Sequence, residues 1–140
     1  MSHHEPMKPT HASVQSWLDA YLHAWETYDA KDIEALFTED AEYRYHPADE
    51  PEVGRDTIVS DWLNPAGDAS KRDKPGTYAG DYAPFAVDGN RAVAVGVSAY
   101  WTDASRSEVS RIYYNSWLLE FADDGRCRSF IEYYMTPRKS

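Results

Sequence analysis

One acidic residue near the C-terminus, Glu132, lies where an acid is least expected. It falls on the same face of a β run as Phe130 and Tyr134, because side chains of a strand alternate between its two faces. A carboxylate held between two rings on a core-facing strand is costly unless a partner satisfies it. Such a group can act as a general acid or base, bind a polar atom of a ligand, or serve as a structural acid bonded to its neighbours. The pattern predicts a pocket with a polar element and leaves these three roles open.

The second half of the chain contains the elements that must position this acid. Four runs rich in β-branched and aromatic residues predict strands over Tyr78–Val87, Arg91–Thr102, Ile112–Phe121 and Arg126–Met135. An Asp-Gly pair separates the first two runs and another separates the last two, which is typical of tight turns between antiparallel strands. We therefore expect an antiparallel meander.

The first half predicts helices. Apolar residues at helical spacing indicate three of them, over Ala12–Tyr28, Ala30–Phe37 and about Arg55–Leu63. A short strand, Glu42–His46, is expected between the second and third helices. The polar, Pro- and Gly-containing stretch 64–76 is interpreted as a loop, either a simple connector or a cover for a pocket. Helices followed by a meander predict an α+β fold with the helices packed on one face of a curved, mostly antiparallel sheet.

Length, charge and cysteine content set the class of protein. The chain has 140 residues, enough for one domain, which we place at residues 12–137 after a flexible N-terminus at 1–11. A net charge of −10 argues against nucleic-acid or anionic-membrane partners, which need clustered Lys and Arg. A single cysteine, Cys127, excludes an internal disulfide. With no membrane-spanning run and no signal-peptide pattern, a cytoplasmic protein is expected.

Metal, cofactor and thiol chemistry are not expected. His3 and His4 lie in the expected flexible terminus and are interpreted as inert, and no His, Cys or Asp group has ligand spacing. Cys127 has no adjacent base to activate it as a nucleophile.

Three local strings resemble the nuclear transport factor 2-like superfamily, in particular its SnoaL-like (polyketide-cyclase-like) bacterial branch. They are residues 28–43, beginning Tyr-Asp-Ala-Lys-Asp-Ile, residues 54–58, Gly-Arg-Asp-Thr-Ile, and the segment 121–130 around Gly-Arg-Cys-Arg-Ser-Phe. The similarity extends over roughly residues 14–137. It implies a cone-shaped half-barrel whose open end is a hydrophobic pocket closed by the first helix, and a homodimer formed through the outer sheet face. The superfamily holds isomerases, cyclases, dehydratases, epoxide hydrolases and transport adaptors, so the fold alone assigns no reaction.

The resemblance to the ketosteroid isomerases does not extend to their whole catalytic set. Tyr21 matches the tyrosine that acts there as oxyanion donor. The carboxylate base expected near the end of the first strand is absent, since that stretch reads Tyr43-Arg-Tyr-His46, and the position of the second acid is Trp117. The dehydratase and epoxide-hydrolase patterns have no clean match either.

The same resemblance, with strand alternation, predicts which side chains share the pocket. The catalytic candidates are Glu132 as proton shuttle, Tyr21 as hydrogen-bond donor, and His46 at the mouth as a proton-transfer partner or a rim residue without a role. The ligand pocket is predicted to be lined by Trp17, Trp25, Tyr43, Tyr45, Trp62, Tyr113, Asn115, Trp117, Phe130 and Tyr134. For the rings of the first helix, packing in the core is the competing interpretation.

Three hypotheses for function remain. The first is a pocket protein that binds a small hydrophobic molecule, with no assignable reaction. The second is an acid–base enzyme of the isomerase, dehydratase, hydrolase or cyclase type, with Glu132 as proton shuttle and Tyr21 or Tyr45 as hydrogen-bond donor. The third is an interaction module that uses outward residues such as Arg128 and Tyr133 on the sheet.

Overall fold

In the computed structural model, which describes residues 8–138, the chain forms three α-helices and six strands. The helices are α1 (His11–Thr27), α2 (Ala30–Glu34) and α3 (Arg55–Leu63). The strands are β1 (Phe37–Arg44), β2 (Glu52–Val53), β3 (Tyr78–Asp88), β4 (Arg91–Trp101), β5 (Val109–Phe121) and β6 (Cys127–Met135). Two 3₁₀ turns, Pro65–Gly67 and Ala69–Lys71, occupy the predicted loop. The terminal histidines His3 and His4 lie outside the described residues.

The strands of this part of the chain form one open sheet in the order β2-β1-β6-β5-β4-β3. All neighbours are antiparallel except β1 and β6, which run parallel. Helix α1 packs against β3, and α3 packs against β1. The predicted α+β cone, with three helices on a mostly antiparallel sheet, is confirmed.

Local chemistry explains the position of α1. Thr10 caps the helix by accepting a hydrogen bond from the Ser13 amide, and the Ser13 hydroxyl accepts one from the Thr10 amide. Tyr28 ends the helix in the left-handed conformation (φ 51°). The buried stripe includes Leu18 and Tyr21, which face the sheet.

The boundary between α2 and β1 differs from the prediction. Helix α2 ends at Glu34 rather than Phe37, and β1 begins at Phe37 rather than Glu42 and ends at Arg44 rather than His46. The reason is a long-range pairing: the Cys127 amide donates to the Leu36 carbonyl (2.8 Å), and fully buried Phe37 pairs with Cys127 of β6. Tertiary pairing therefore overrides the local helical pattern.

The core is largely aromatic and lies between the sheet and the helices. Phe130 of β6 is central, stacked on Tyr43 (4.4 Å between ring centroids) and on Tyr21 (5.3 Å). Trp17 of α1 meets Phe37 and Phe121 edge to face. Among residues 8–138, no helix has the length and apolar character needed to cross a membrane.

Candidate ligand-binding site

A cavity of about 390 Å³, called the inner cavity below, lies beside this core. It is lined by Tyr21, Trp25, Tyr43, Tyr45, Tyr78, Ser98, Tyr100, Arg111, Tyr113, Asn115, Trp117, Glu132 and Tyr134. These residues lie on helix α1 and on strands β1, β3, β4, β5 and β6, except Tyr45, which directly follows β1. The volume and the mixture of rings with few polar groups are typical of small-molecule sites.

Glu132 is the only carboxylate among the described residues that line the inner cavity. It lies opposite Trp117 in the β5–β6 register. Its Oε1 accepts a hydrogen bond from Asn115 Nδ2 (3.0 Å) and lies 3.5 Å from Trp117 Nε1. Its Oε2 has no hydrogen-bond partner among residues 8–138 and is accessible from the cavity. One oxygen is held by the protein, and the other is free for a ligand.

Burial changes the acidity of this group. Desolvation raises the pKa of Glu132 to about 7, and the hydrogen bond from Trp117 opposes the shift in part. Near neutral pH the carboxyl group therefore exists in both protonation states.

A chain of buried hydrogen bonds fixes Asn115. Its Nδ2 also donates to the Tyr82 hydroxyl (2.8 Å), which bonds to Ser98 Oγ (2.6 Å), and Ser98 bonds in turn to the Tyr78 hydroxyl (3.1 Å). The Tyr82 ring stacks on Trp117 with 3.7 Å between ring centroids. Asn115 Oδ1 is buried without a partner in the described chain. The network orients the amide that holds Glu132.

Sequence reasoning missed five members of this wall and network: Tyr78, Tyr82, Ser98, Tyr100 and Arg111. The signal that could have found them is strand alternation. Tyr78 and Tyr82 share a face of β3, and Ser98 and Tyr100 share a face of β4. The same alternation extended to the start of β5 would have included Arg111 with Tyr113.

The Tyr21 and Tyr43 hydroxyl groups meet inside the protein, 2.6 Å apart. Burial raises the pKa of both groups well above the usual range. Both hydroxyl groups remain neutral, and one of them donates a hydrogen bond to the other. Tyr45 also lines the cavity, and its hydroxyl donates to Asp61 Oδ2 (2.6 Å).

Four residues predicted for the site lie outside the inner cavity. Trp17 and Phe130 are in the core, where Trp17 Nε1 donates to the Leu36 carbonyl (3.0 Å) and Phe130 is enclosed by rings. Trp62 lies on the buried face of α3 and lines a neighbouring cavity instead. His46 lies beyond the wall, 5.8 Å from the Tyr134 ring, and its Nδ1 accepts from the Ala48 amide (3.2 Å). Strand and helix patterns indicate the face of a residue but not its depth along that face.

Besides the inner cavity, the Cys127 thiol and the potential metal ligands bear on the chemistry of the protein. Burial raises the pKa of the Cys127 thiol to about 12, so the thiol is protonated at neutral pH. Within residues 8–138, no three His, Cys, Asp or Glu side chains lie close enough to hold a metal ion.

Comparison with known proteins agrees with this architecture. The family model described as a SnoaL-like domain matches residues 9–101, and the chain belongs to this family. No curated protein matches the sequence.

Solved structures show the same fold at low sequence identity. A nuclear transport factor 2-like protein of unknown function from Burkholderia xenovorans is 16% identical, with a TM-score of 0.65 over 92% of this chain and 88% of that one. An epoxide hydrolase of the LEH-like type from M. tuberculosis is 14% identical (TM-score 0.59; 91% and 86% covered). A Kribbella flavida protein provisionally assigned as a ketosteroid isomerase is also 14% identical (TM-score 0.62; 92% and 82% covered). Because these proteins differ in function, the likeness defines the SnoaL-like fold and no particular reaction.

Proposed function

We propose that the protein binds a small, largely apolar molecule in the inner cavity, with Glu132 Oε2 as its hydrogen-bond partner. The observation that carries this proposal is that the two oxygens of the Glu132 carboxyl group have different surroundings. Oε1 is held by Asn115, whereas Oε2 faces an aromatic cavity with no partner in the described chain. Burial removes part of the hydration of this carboxyl group, and a ligand hydroxyl group that donates to Oε2 replaces that hydration.

The walls favour a flat ring system as the body of the ligand. The cavity is lined by Trp25, Tyr100 and Trp117, and aromatic side chains pack favourably against other rings. A fused aromatic alcohol such as 2-naphthol is a suitable probe, because it combines a flat apolar body with one hydroxyl group.

Binding of 2-naphthol is expected to depend on Glu132 and on pH. At pH 8 the wild-type carboxylate accepts a charge-assisted hydrogen bond, so Glu132→Gln should weaken binding about ten-fold. At pH 5.5 the neutral acid and the amide should bind with similar affinity. Isothermal titration calorimetry at both pH values measures the difference.

Glu120→Gln is the matched control, because Glu120 of β5 pairs with Arg128 outside the inner cavity. It should leave 2-naphthol affinity unchanged at both pH values. Equal loss in the two variants, or binding that does not respond to Glu132→Gln at pH 8, would contradict the proposed role of Oε2.

Acid–base catalysis is the second candidate function, and the position of the Glu132 pKa favours it. A carboxyl group that titrates at about 7 can both take and return a proton at neutral pH. In an enolisation, the C–H bond breaks and its proton passes to Oε2. The C–H electron pair forms the new C=C bond, and the π pair of the ketone carbonyl moves to oxygen as the enolate.

Deuterium incorporation at the α-carbon of 2-tetralone tests this candidate. The wild-type protein is expected to accelerate incorporation in D₂O, with a rate that rises through about pH 7 as Glu132 becomes a carboxylate. Glu132→Gln should reduce the protein-dependent rate by about 10² or more, the usual contribution of a general base. Nuclear magnetic resonance measures the rate. A protein-dependent rate that is equal in the variant would remove Glu132 as the base.

Self-association through the outer sheet face remains a prediction from the family resemblance. Partly exposed Leu118 lies there beside Ile131 and Val93, around a groove of about 350 Å³. An apolar groove of this kind is compatible with a second copy of the chain.

A further inference from the structure

A second cavity of about 280 Å³, called the outer cavity below, adjoins the inner one. The two share the side chains of Trp25, Tyr45, Tyr100 and Arg111. The outer cavity is also bounded by the segment 65–73, which contains the two 3₁₀ turns. A ligand in the inner cavity that extends past Arg111 would enter the outer cavity.

The two cavities differ in the number of charged side chains that line them. Among the described residues, Arg111 is the only Lys or Arg that lines the inner cavity, and Glu132 is its only carboxyl group. In the outer cavity, Lys71 and Arg72 join Arg111, against the two acids Asp61 and Asp73. The outer cavity thus has three cationic groups and two acidic ones, in a chain whose net charge is −10.

Neighbouring side chains hold the guanidinium of Arg111 in place, but only one of its N–H groups donates a hydrogen bond within residues 8–138. Its guanidinium lies over the Tyr100 ring, with Cζ 4.2 Å from the centroid, and its Nη2 donates to Asp73 Oδ1 (3.3 Å). The other N–H groups have no hydrogen-bond partner in the described chain. The side chain is about half exposed and is therefore open to a ligand. A stacked guanidinium with a free edge is suited to bidentate binding of a carboxylate.

We propose that the ligand is an aromatic or alicyclic carboxylic acid whose carboxylate binds Arg111 while its apolar body fills the inner cavity. This inference rests on the proposed function of the inner cavity and names the class of ligand. In the free protein, Asp73 occupies part of the guanidinium. The ligand carboxylate competes with Asp73 for the guanidinium or joins it there, so Asp73 sets the strength of binding.

A matched pair of probes tests the charge preference. 6-Hydroxy-2-naphthoate and 6-hydroxy-2-naphthamide have the same shape, and only the first carries a negative charge. At pH 6.5 and low salt, calorimetry is expected to show about ten-fold tighter binding of the acid. Arg111→Gln should remove this preference. Asp73→Asn should increase it several-fold, because the competing carboxylate is gone. High salt should weaken it.

Arg91→Gln is the control for loss of one positive charge, since Arg91 pairs loosely with Glu120 and lies outside both cavities. It should keep the preference, and thermal unfolding should show that all variants are folded. Equal affinity of the acid and the amide for the wild-type protein would overturn the inference, as would a preference that survives Arg111→Gln. Binding of 2-naphthol separates the two proposals: if it binds through Glu132 but the acid gains nothing, only the role of Arg111 fails.

Discussion

Replacement of Glu132 by glutamine is expected to stabilise the fold by an amount that grows with pH, to roughly 3 kcal/mol above neutrality. The cause is the raised pKa, about 7 in the folded protein against 4.5 for an ordinary glutamate. Between these values the folded state binds the proton more strongly than the unfolded state. The wild-type protein therefore loses stability as pH rises through this window, and the glutamine variant does not.

Of the pH range between 4.5 and about 7, only the upper part is suitable for measurement in solution. Because the isoelectric point is near 4.8, solubility limits work at lower pH. Between pH 5.5 and pH 8 the stability difference between variant and wild type should grow by about 2 kcal/mol. Urea unfolding at several pH values, followed by tryptophan fluorescence, measures it. The control is Glu120→Gln, because its bond to Arg128 lowers the pKa of Glu120, so the group stays ionised across this range and should give a flat difference. Parallel pH profiles for the wild-type protein and Glu132→Gln would mean that Glu132 is not desolvated.

Phe130→Ala is expected to destabilise the protein by about 3–5 kcal/mol. Phe130 is fully buried and stacks on Tyr43 and Tyr21, with Trp117 tilted against it at 5.2 Å. Truncation removes the ring that these three aromatic side chains share and leaves a void that rigid neighbours fill poorly.

Tyr133, the next aromatic residue of β6, provides the comparison for the loss of stability at Phe130. Tyr133 lies on the other face and is 45% exposed, so Tyr133→Ala should cost less than about 1 kcal/mol. Urea unfolding of both variants at one pH compares them. Similar losses for Phe130→Ala and Tyr133→Ala would contradict the position of Phe130 at the centre of the core.

Much of the fold follows from periodicity alone. The helical stripe predicted α1 to within one residue at each end, and α3 has its predicted bounds. The family resemblance, together with period-two alternation in each strand, placed Asn115, Trp117 and Glu132 on one face, and the register of β5 and β6 sets Trp117 opposite Glu132. These elements are defined by local patterns that the tertiary structure reinforces.

Elements that depend on distant partners were not predictable in the same way. Phe37 continues a helical pattern, yet its backbone joins β1 because Cys127 of β6, 90 residues away, pairs with it. Strand β2 is only two residues long and exists through its pairing with β1. Short segments of this kind carry no periodic signal of their own.

The residues of the site form the same two groups, those that local patterns predict and those whose position depends on distant contacts. Alternation assigned Phe130 and Glu132 to one face, but only the packing of α1 shows that Phe130 is covered by rings while Glu132 remains beside open space. The Tyr82–Ser98–Tyr78 chain of hydrogen bonds depends on how β3 and β4 align, which the sequence does not specify. Arg111 lies just before the predicted start of β5 and was overlooked for that reason.

The raised pKa and the free Oε2 of Glu132 together support the proposed binding and catalytic roles. Desolvation at the edge of the aromatic cavity raises the pKa, and Oε2 is left free because Asn115 and Trp117 hold Oε1. A site that keeps a partly desolvated acid is expected to cost stability, which agrees with the stabilising effect expected for Glu132→Gln.

The most direct measurement is a ¹³C nuclear magnetic resonance titration of the Glu132 carboxyl carbon, with and without 2-naphthol. Glu132→Gln assigns the signal by its disappearance. A pKa of about 7 in the free protein, and a signal that shifts when 2-naphthol is added, are expected. A pKa near the ordinary 4.5, with a signal that does not respond to the probe, would contradict both the buried position of the acid and its role in the site.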